Sequence, residues 1–126
     1  MSLTQVDCRK LSAWIKIGIA VRLAQAQNLM FDPDHSLPLT RQEEKRRTYW
    51  SLYLLDRLTT CARGRPASIQ DYSCQLRLPC SEEAFNTHMG EKTLTLAELE
   101  KHPSLAIERY SVGALGQVVL DRKSVV

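Results

Sequence analysis

The most constraining feature of the sequence is one long helical segment between residues 40 and 64. Thr40 and Glu43 have the spacing of a capping box, in which each side chain satisfies a free backbone N–H of the first helical turn. Apolar side chains then recur at three- and four-residue steps as far as Gly64, which readily adopts the left-handed conformation that ends a helix, and Pro66 follows. We therefore predict a helix of roughly 22 residues, about 33 Å long.

A second helix is predicted upstream, from Val6 to Gln27, where Pro is absent and apolar residues recur at helical spacing. It carries two adjacent apolar stripes, so we expect it to be covered on more than one side. The first stripe contains Leu11, Trp14, Ile15, Ile19 and Leu23, and the second contains Ile17, Ala20, Val21 and Ala24. Gly18 lies among these large neighbours, and we expect it to permit the close approach of another helix.

The remaining segments are shorter and complete an all-α chain. Residues 28–39 and 67–79 contain Pro and other turn-forming residues and are predicted to be loops. Further helices are predicted from Ser81, within Thr93–Lys101 and over Leu105–Arg122, and no segment shows sustained strand alternation. The predicted fold is an irregular bundle of about four to five helices, which we expect to be a fragment of a larger helical domain.

The composition is that of an ordinary globular protein and argues against several functional classes. With 44% hydrophobic and 25% charged residues, the formal charge of +3 is too small for a domain that binds nucleic acid by neutralising phosphates. No window approaches the roughly 18 to 20 apolar residues of a membrane span, and the N-terminus lacks a secretory signal pattern. The sequence also lacks phosphate-loop and serine-nucleophile motifs, so we do not expect an enzyme.

The four cysteines, Cys8, Cys61, Cys74 and Cys80, are widely and unevenly spaced, which favours a reduced intracellular compartment over a disulfide framework. Three of them, together with His88, offer thiolate and imidazole ligands of the kind that zinc binds. However, the spacings of Cys61, Cys74 and Cys80 match no known zinc motif. Packing as small hydrophobic residues is the favoured interpretation, and no metal or other cofactor is assigned to this chain.

Two clusters of side chains each have a functional and a structural interpretation. The basic run Arg41, Lys45, Arg46 and Arg47 has the composition of a phosphate-binding surface, but acids interleave with it. Glu43 lies four residues before Arg47, so a solvated or intramolecularly paired face is favoured. The aromatic residues Trp14, Tyr49, Trp50 and Tyr53 could line a small-molecule pocket, although core packing is the default for such a stripe.

Asp56 lies in the apolar half of the long helix, where an unpaired carboxylate would be costly. We therefore expect it to anchor the turn Arg63–Pro66, with a nearby guanidinium or the backbone N–H groups of the loop Gly64–Ile69 as its partner. Exposure of Asp56 to solvent is the alternative. The arginines around this turn are Arg57, Arg63 and Arg65, and we expect at least one of them to pair with Asp56 or Asp71.

These features occur in an order that resembles the signature of the fungal-specific transcription factor regulatory domain. This domain is the middle homology region of binuclear zinc-cluster transcription factors. The resemblance is strongest over residues 11–86 and weaker over 87–126, so residues 1–126 are expected to form one partial regulatory domain. The signature residues in this sequence are Arg46, Arg47, Trp50, Asp56, Arg57, Gly64, Arg65, Pro66, Leu78 and Pro79.

The resemblance implies a regulatory segment that controls DNA-templated transcription in the nucleus through intramolecular or protein–protein contacts. The family's zinc cluster uses closely spaced cysteines that this chain lacks, so zinc and DNA binding are expected only from a domain missing here. The implied partners are other proteins or the rest of the regulatory domain, with a small-molecule effector as a further candidate and no membrane.

Two alternatives to this reading remain open. One is a small-molecule-sensing helical domain, in which the helices enclose an effector pocket. The other is a free-standing helical adaptor without DNA-binding capacity. A fold cut from a larger one should in either case expose apolar surface, which we expect on the first and last helices.

Overall fold

The computed structural model describes residues 3–60, 64–80, 86 and 95–101, and its regular elements are helical. Helix α1 spans Leu3–Ala26, α2 spans Leu39–Thr60, a short 3-10 helix spans Asp71–Ser73, and α3 spans Leu96–Lys101. Strand-like pairing within the described ranges is limited to one isolated antiparallel bridge between Arg77 and Thr95. The all-α class is confirmed. The described residues contain three α-helices, fewer than the four to five expected.

The observed helix bounds lie close to those predicted. α2 begins one residue before Thr40 and has the expected length of 22 residues. Gly64, after its end, has φ of +63°, the left-handed conformation anticipated for this position. α3 occupies the last six residues of the segment predicted over Thr93–Lys101. The helices predicted from Ser81 and over Leu105–Arg122 lie outside the described residues.

Helix α2 is the centre of the hydrophobic core. Its Tyr49, Trp50 and Tyr53 are fully buried, and the rings of Trp50 and Tyr53 meet edge to face with centroids 5.2 Å apart. The other elements surround this aromatic cluster with smaller apolar side chains. These are Val21 and Ala24 of α1, Ile69, Cys74, Leu76 and Leu78 of the segment after α2, and Leu96 of α3. A single core therefore joins the three α-helices and the segment after α2.

The two apolar stripes of α1 differ in burial. Val21 and Ala24 of the second stripe lie in the core, whereas Leu11, Ile15, Ile19 and Leu23 of the first are 42%, 47%, 57% and 60% exposed. The prediction that α1 is covered on more than one side is wrong for the described residues, whose core contacts this helix on the side of Val21 and Ala24. The exposed apolar face expected on the first helix is present, while the last predicted helix lies outside the described residues.

Gly18 faces a loop and not another helix. A Cβ atom placed at Gly18 would lie 3.5 Å from the hydroxyl oxygen of Ser68, an ordinary van der Waals distance. The prediction of a close helix–helix approach at this position is therefore wrong. The segment after α2 provides the neighbour instead.

None of the helices in the described part of the chain is both long enough and apolar enough to cross a membrane.

Candidate interaction surface

The loop between α1 and α2 is held by a buried arginine of α2. Arg46 donates to both carboxylate oxygens of Asp32, from Nε at 3.0 Å and from a terminal nitrogen at 3.1 Å. Arg77 adds a second cation, with its Nε 3.2 Å from Asp32 Oδ2. Burial alone would raise the pKa of Asp32, but the hydrogen bonds and charges of Arg46 and Arg77 outweigh it and lower that pKa below 3.8. The charged carboxylate thus joins α2 to two loops.

Glu43, one turn earlier on α2, holds the segment that contains Leu78 and Pro79. Its Oε1 accepts the backbone N–H of Cys80 at 2.8 Å and lies 3.2 Å from Arg47 Nε. Arg47 in turn donates to the carbonyl oxygen of Cys80 at 3.4 Å. The predicted pairing of Glu43 with Arg47 is therefore present, and it clamps a distant segment against the helix. Leu78 and Pro79 are fully buried beside it.

Trp50 combines apolar burial with one polar contact. Its indole Nε1–H donates to the carbonyl oxygen of Arg77 at 2.7 Å, while the residue as a whole is 0% exposed. Tyr49 and Tyr53 are equally buried. The three aromatic side chains of α2 thus pack as core and do not line an accessible pocket. Trp14, on α1, is only partly buried.

Asp56 is the anchor of the loop after α2. The residue is 1% exposed, and its two carboxylate oxygens accept the backbone N–H groups of Ser68 and Ile69, each at 3.0 Å. Two kinds of partner were expected for Asp56, a guanidinium or backbone N–H groups, and the structure shows the backbone N–H groups. They lie just after the turn Arg63–Pro66 and not within it. Such charge-assisted bonds from backbone N–H groups to a buried carboxylate fix the loop in one position.

Arg57, the next residue, holds the 3-10 helix. Its terminal nitrogen lies 2.6 Å from Asp71 Oδ1, and the Tyr53 hydroxyl donates to the same oxygen at 2.8 Å. The Arg57 guanidinium also stacks over the Tyr53 ring, 4.7 Å from its centroid. Burial raises the pKa of Tyr53 to about 12, so its hydroxyl stays protonated as a donor. The expectation that an arginine near the turn pairs with Asp71 is met by Arg57.

The Gly-Arg-Pro turn contacts α1 through Trp14. The indole Nε1–H of Trp14 donates to the carbonyl oxygen of Pro66 at 3.3 Å, and the Arg65 guanidinium lies over the Trp14 ring, 5.6 Å from its centroid. Arg65 therefore stacks on an aromatic ring, whereas the sequence suggested Asp56 or Asp71 as the partner of an arginine at this turn. Arg63 lies outside the described residues. The turn thus lies next to a groove along α1, to which the segment after α2 contributes Ser68.

This groove is the main candidate for an interaction site. It has a volume of about 450 Å³, opens to solvent and is mostly apolar. Its lining residues are Trp14, Ile15, Gly18, Ile19, Arg22, Leu23 and Ser68. From the sequence we expected exposed apolar surface on the first helix and considered Trp14 as a pocket residue, but the sequence did not indicate that these residues and Ser68 line one groove. The sequence signal that could have indicated the groove was the presence of two apolar stripes on α1, because the core covers one stripe and leaves the other exposed.

Three of the four side chains in the basic run Arg41, Lys45, Arg46 and Arg47 form ion pairs within the chain. Arg41 pairs with Glu44 at 3.2 Å on the exposed side, while Arg46 and Arg47 are directed to Asp32 and Glu43. Lys45 is partly buried. The intramolecular interpretation of this basic run is therefore the one that the geometry supports.

The cysteines that the structure describes do not form a metal site. Burial raises the pKa of Cys74 to about 12, and burial together with the charge of Glu43 raises that of Cys80 to about 11, so both thiols stay protonated. No group of three or more His, Cys, Asp or Glu side chains within the described ranges is placed to hold a metal ion. Cys61 and His88 lie outside those ranges.

Fold and surface together define a helical domain whose polar contacts are internal and whose exposed face is apolar. Residues 4–112 match the Fungal specific transcription factor domain. Because this match covers most of the chain, the protein belongs to that family.

Several curated relatives are similar to this chain over part of their length. Transcription factor FBD3 of Gibberella moniliformis is 36% identical over 78 residues, which is 61% of this chain and 10% of the relative. The Zn(2)-C6 fungal-type transcription factor FTF1c of Fusarium oxysporum f. sp. lycopersici is 29% identical over 106 residues, 76% of this chain and 11% of the relative. The citrinin biosynthesis transcriptional activator mrl3 of Monascus ruber is 32% identical over 82 residues, 60% of this chain and 16% of the relative.

These relatives are transcription factors by name. The chain spans about a tenth of the length of the curated relatives that it matches, with values of 8% to 13% for three of them. No solved structure matches the chain significantly.

Proposed function

We propose that this chain is the regulatory segment of a fungal zinc-cluster transcription factor and acts in the nucleus by protein–protein or intramolecular contact. Zinc and DNA binding would come from a separate domain, and no catalytic step is involved. Family membership and the names of the relatives support this class of function. The observation that carries the mode of action is the apolar face of α1.

The face is suited to docking because it is both exposed and rigidly supported. Leu11, Ile15, Ile19 and Leu23 form one i, i+4 row, between 42% and 60% exposed, on a helix whose opposite side lies in the core. Contiguous exposed apolar surface of this kind marks interaction sites on soluble proteins. The polar residues of α2, in contrast, are occupied by internal contacts and offer little to a partner.

A reporter assay tests this proposal. The chain is fused to a heterologous DNA-binding domain in a fungal host, and transcript from a matching reporter is compared with that of the DNA-binding domain alone. We expect a several-fold change in transcript that Ile19→Asp abolishes. Leu39→Asp is the matched control, because Leu39 is 51% exposed at the start of α2, away from the groove. An unchanged transcript, or one that Ile19→Asp leaves as in wild type, would contradict the proposal.

A small-molecule effector is a second candidate, favoured by a different cavity. A space of about 500 Å³ lies between the 3-10 helix and α3, within the size range of small-ligand sites. Its lining is Asp71, Tyr72, Cys74, Gln75, Thr95, Leu96 and Ala97. A screen for compounds that raise the melting temperature tests this candidate, with Ala97→Trp as the variant that fills the cavity and abolishes the shift.

A further inference from the structure

We infer that the α1 groove binds an acidic amphipathic helix of a partner protein, an assignment that rests on the proposed function and specifies its partner class. The inference starts from the shape of the exposed face. Leu11, Ile15, Ile19 and Leu23 are spaced by four residues and extend over about 18 Å of the helix axis. A row of this spacing packs against the corresponding row of a second helix. The side chains of the second helix then fill the spaces between the side chains of the first.

Gly18 makes room for such a helix. It lies in the lining of the groove, and the atom that its Cβ would approach within 4 Å belongs to Ser68, on the groove wall. The absence of a side chain at this position keeps the groove open beside Ser68. Small residues at helix crossings permit short distances between helix axes, and the groove is therefore shaped for a helix and not for a flat surface.

The charged residues around the groove determine which sign of charge a partner should carry. On a helical projection, Arg22 lies about 20° from the direction of Ile15, and Lys16 lies about 20° from that of Leu23. Arg65 borders the opposite side, over the Trp14 ring. Among the described residues, no carboxylate forms an ion pair with Lys16, Arg22 or Arg65. Arg22 does donate a hydrogen bond to the neutral Gln25 side chain at 3.3 Å, but this contact leaves its charge uncompensated. An apolar row flanked by cations without a carboxylate partner in the described part of the chain is complementary to an amphipathic helix with acidic flanks.

Two occupants supplied by the chain itself fit this surface less well. A second copy would bring the same cations, Lys16 and Arg22, against themselves, because the paired face is the same on both molecules. The C-terminal stretch 102–126 contains two acids, Glu108 and Asp121, against three cations, Arg109, Arg122 and Lys123. Neither brings the excess of negative charge that complements the groove. The charge of the groove therefore favours a partner of opposite sign over both of these occupants.

The test uses two synthetic peptides with the same apolar row. Both are about 15 residues long and carry leucines every fourth residue, with either glutamates or lysines at the flanking positions. Binding to the intact chain is followed by fluorescence, because Trp14 lines the groove while Trp50 is buried in the core. The variant Trp14→Phe identifies the signal as arising in the groove.

We expect the acidic peptide to bind at least about tenfold more tightly than the basic one, and this preference to shrink as salt screens the charges. The double variant Lys16→Glu, Arg22→Glu should reverse the preference without unfolding the chain, because both side chains are exposed. The variant Ile19→Asp should abolish binding of both peptides. A helical circular dichroism spectrum equal to that of wild type confirms that each variant is folded.

Three outcomes would overturn the inference. Equal affinity for the two peptides would remove the role of charge. Self-association of the chain that Ile19→Asp abolishes would assign the groove to a second copy. Failure of either peptide to bind a monomeric, folded chain would exclude a helix of this kind as the occupant. Each of these results can coexist with an active reporter fusion that Ile19→Asp silences, so the proposed function can stand when the acidic-helix assignment fails.

Discussion

Arg46 and Asp32 face each other as a planar pair, with two hydrogen bonds of 3.0 and 3.1 Å between the guanidinium and the carboxylate. The arginine is mostly buried in α2 and the aspartate belongs to the preceding loop. A guanidinium in this setting depends on its carboxylate, because an unpaired buried cation is costly. The pair therefore determines how the chain returns from α1 to α2.

Asp32→Asn is expected to lower the free energy of unfolding by about 2–3 kcal/mol, since it leaves the buried Arg46 without its main counter-charge. Urea denaturation followed by circular dichroism measures this loss. Asp34→Asn is the matched control, because Asp34 lies two residues away in the same loop, is exposed, and has the nearby Ser36 as its hydrogen-bond partner, with the backbone N–H at 3.0 Å. Equal midpoints for Asp32→Asn and wild type would contradict the structural role of the pair.

The same carboxylate predicts a pH dependence of stability. The pKa of Asp32 is lower in the folded chain than its ordinary value of 3.8, so the unfolded chain binds the proton first as the pH falls. The stabilisation by Asp32 is therefore complete above that ordinary pKa and is lost as the pH falls through the lower folded value. We expect the urea midpoint of wild type to decrease below about pH 4. Asp32→Asn should show a shallower decrease, and identical slopes would argue against this source of acid sensitivity.

Asp56→Asn is expected to release the loop that begins at Gly64. The amide would accept one backbone N–H and place its own NH2 group against the other, at a cost of about 2–3 kcal/mol. Hydrogen exchange resolves this effect locally. The Ser68 and Ile69 amides should lose protection in the variant by more than the amide of Gln75, which donates to Met30 O at 3.0 Å in another part of the fold. Uniform loss of protection at all three amides would mean that Asp56 supports the whole fold and not this loop.

Two buried tyrosines of α2 provide a matched pair of variants. The Tyr53 hydroxyl donates to Asp71 at 2.8 Å, whereas the equally buried Tyr49 hydroxyl lies near the Gln25 side chain but makes no hydrogen bond of good geometry within the described residues. Tyr53→Phe should therefore cost about 1–2 kcal/mol, while Tyr49→Phe should change stability by less than about 0.5 kcal/mol or raise it. Both are measured by urea unfolding, and a larger loss for Tyr49→Phe than for Tyr53→Phe would contradict the assignment.

The sequence predicts the features that depend on local patterns. The bounds of α2, the left-handed Gly64 and the need of Asp56 for a partner all follow from residues close together in the chain. The identity of distant partners does not, because it depends on the path of residues 64–80. The sequence offered the N–H groups of the loop Gly64–Ile69 as one set of candidates for Asp56, but only the folded chain selects those of Ser68 and Ile69. Cys80 as the donor to Glu43 is likewise visible only in the folded chain.

The burial of α1 shows a different limit of sequence analysis. Its two stripes are both apolar, so periodicity alone does not say which one the core covers. Packing chooses the side that carries Val21 and Ala24, because these side chains fit against the buried aromatic cluster of α2. The stripe that remains exposed is the one that contains the larger number of Leu and Ile residues.

The separation between the contacts of α2 and the exposed row on α1 has a consequence for how such proteins can diverge. The bonds made by Asp32, Glu43, Asp56 and Asp71 hold the fold, and none of those described involves Ile15, Ile19 or Leu23. Substitutions in that row can therefore change which molecule is recognised while the scaffold is retained. Gene duplication followed by a few changes on one helix would be enough to connect the same scaffold to a new regulatory signal.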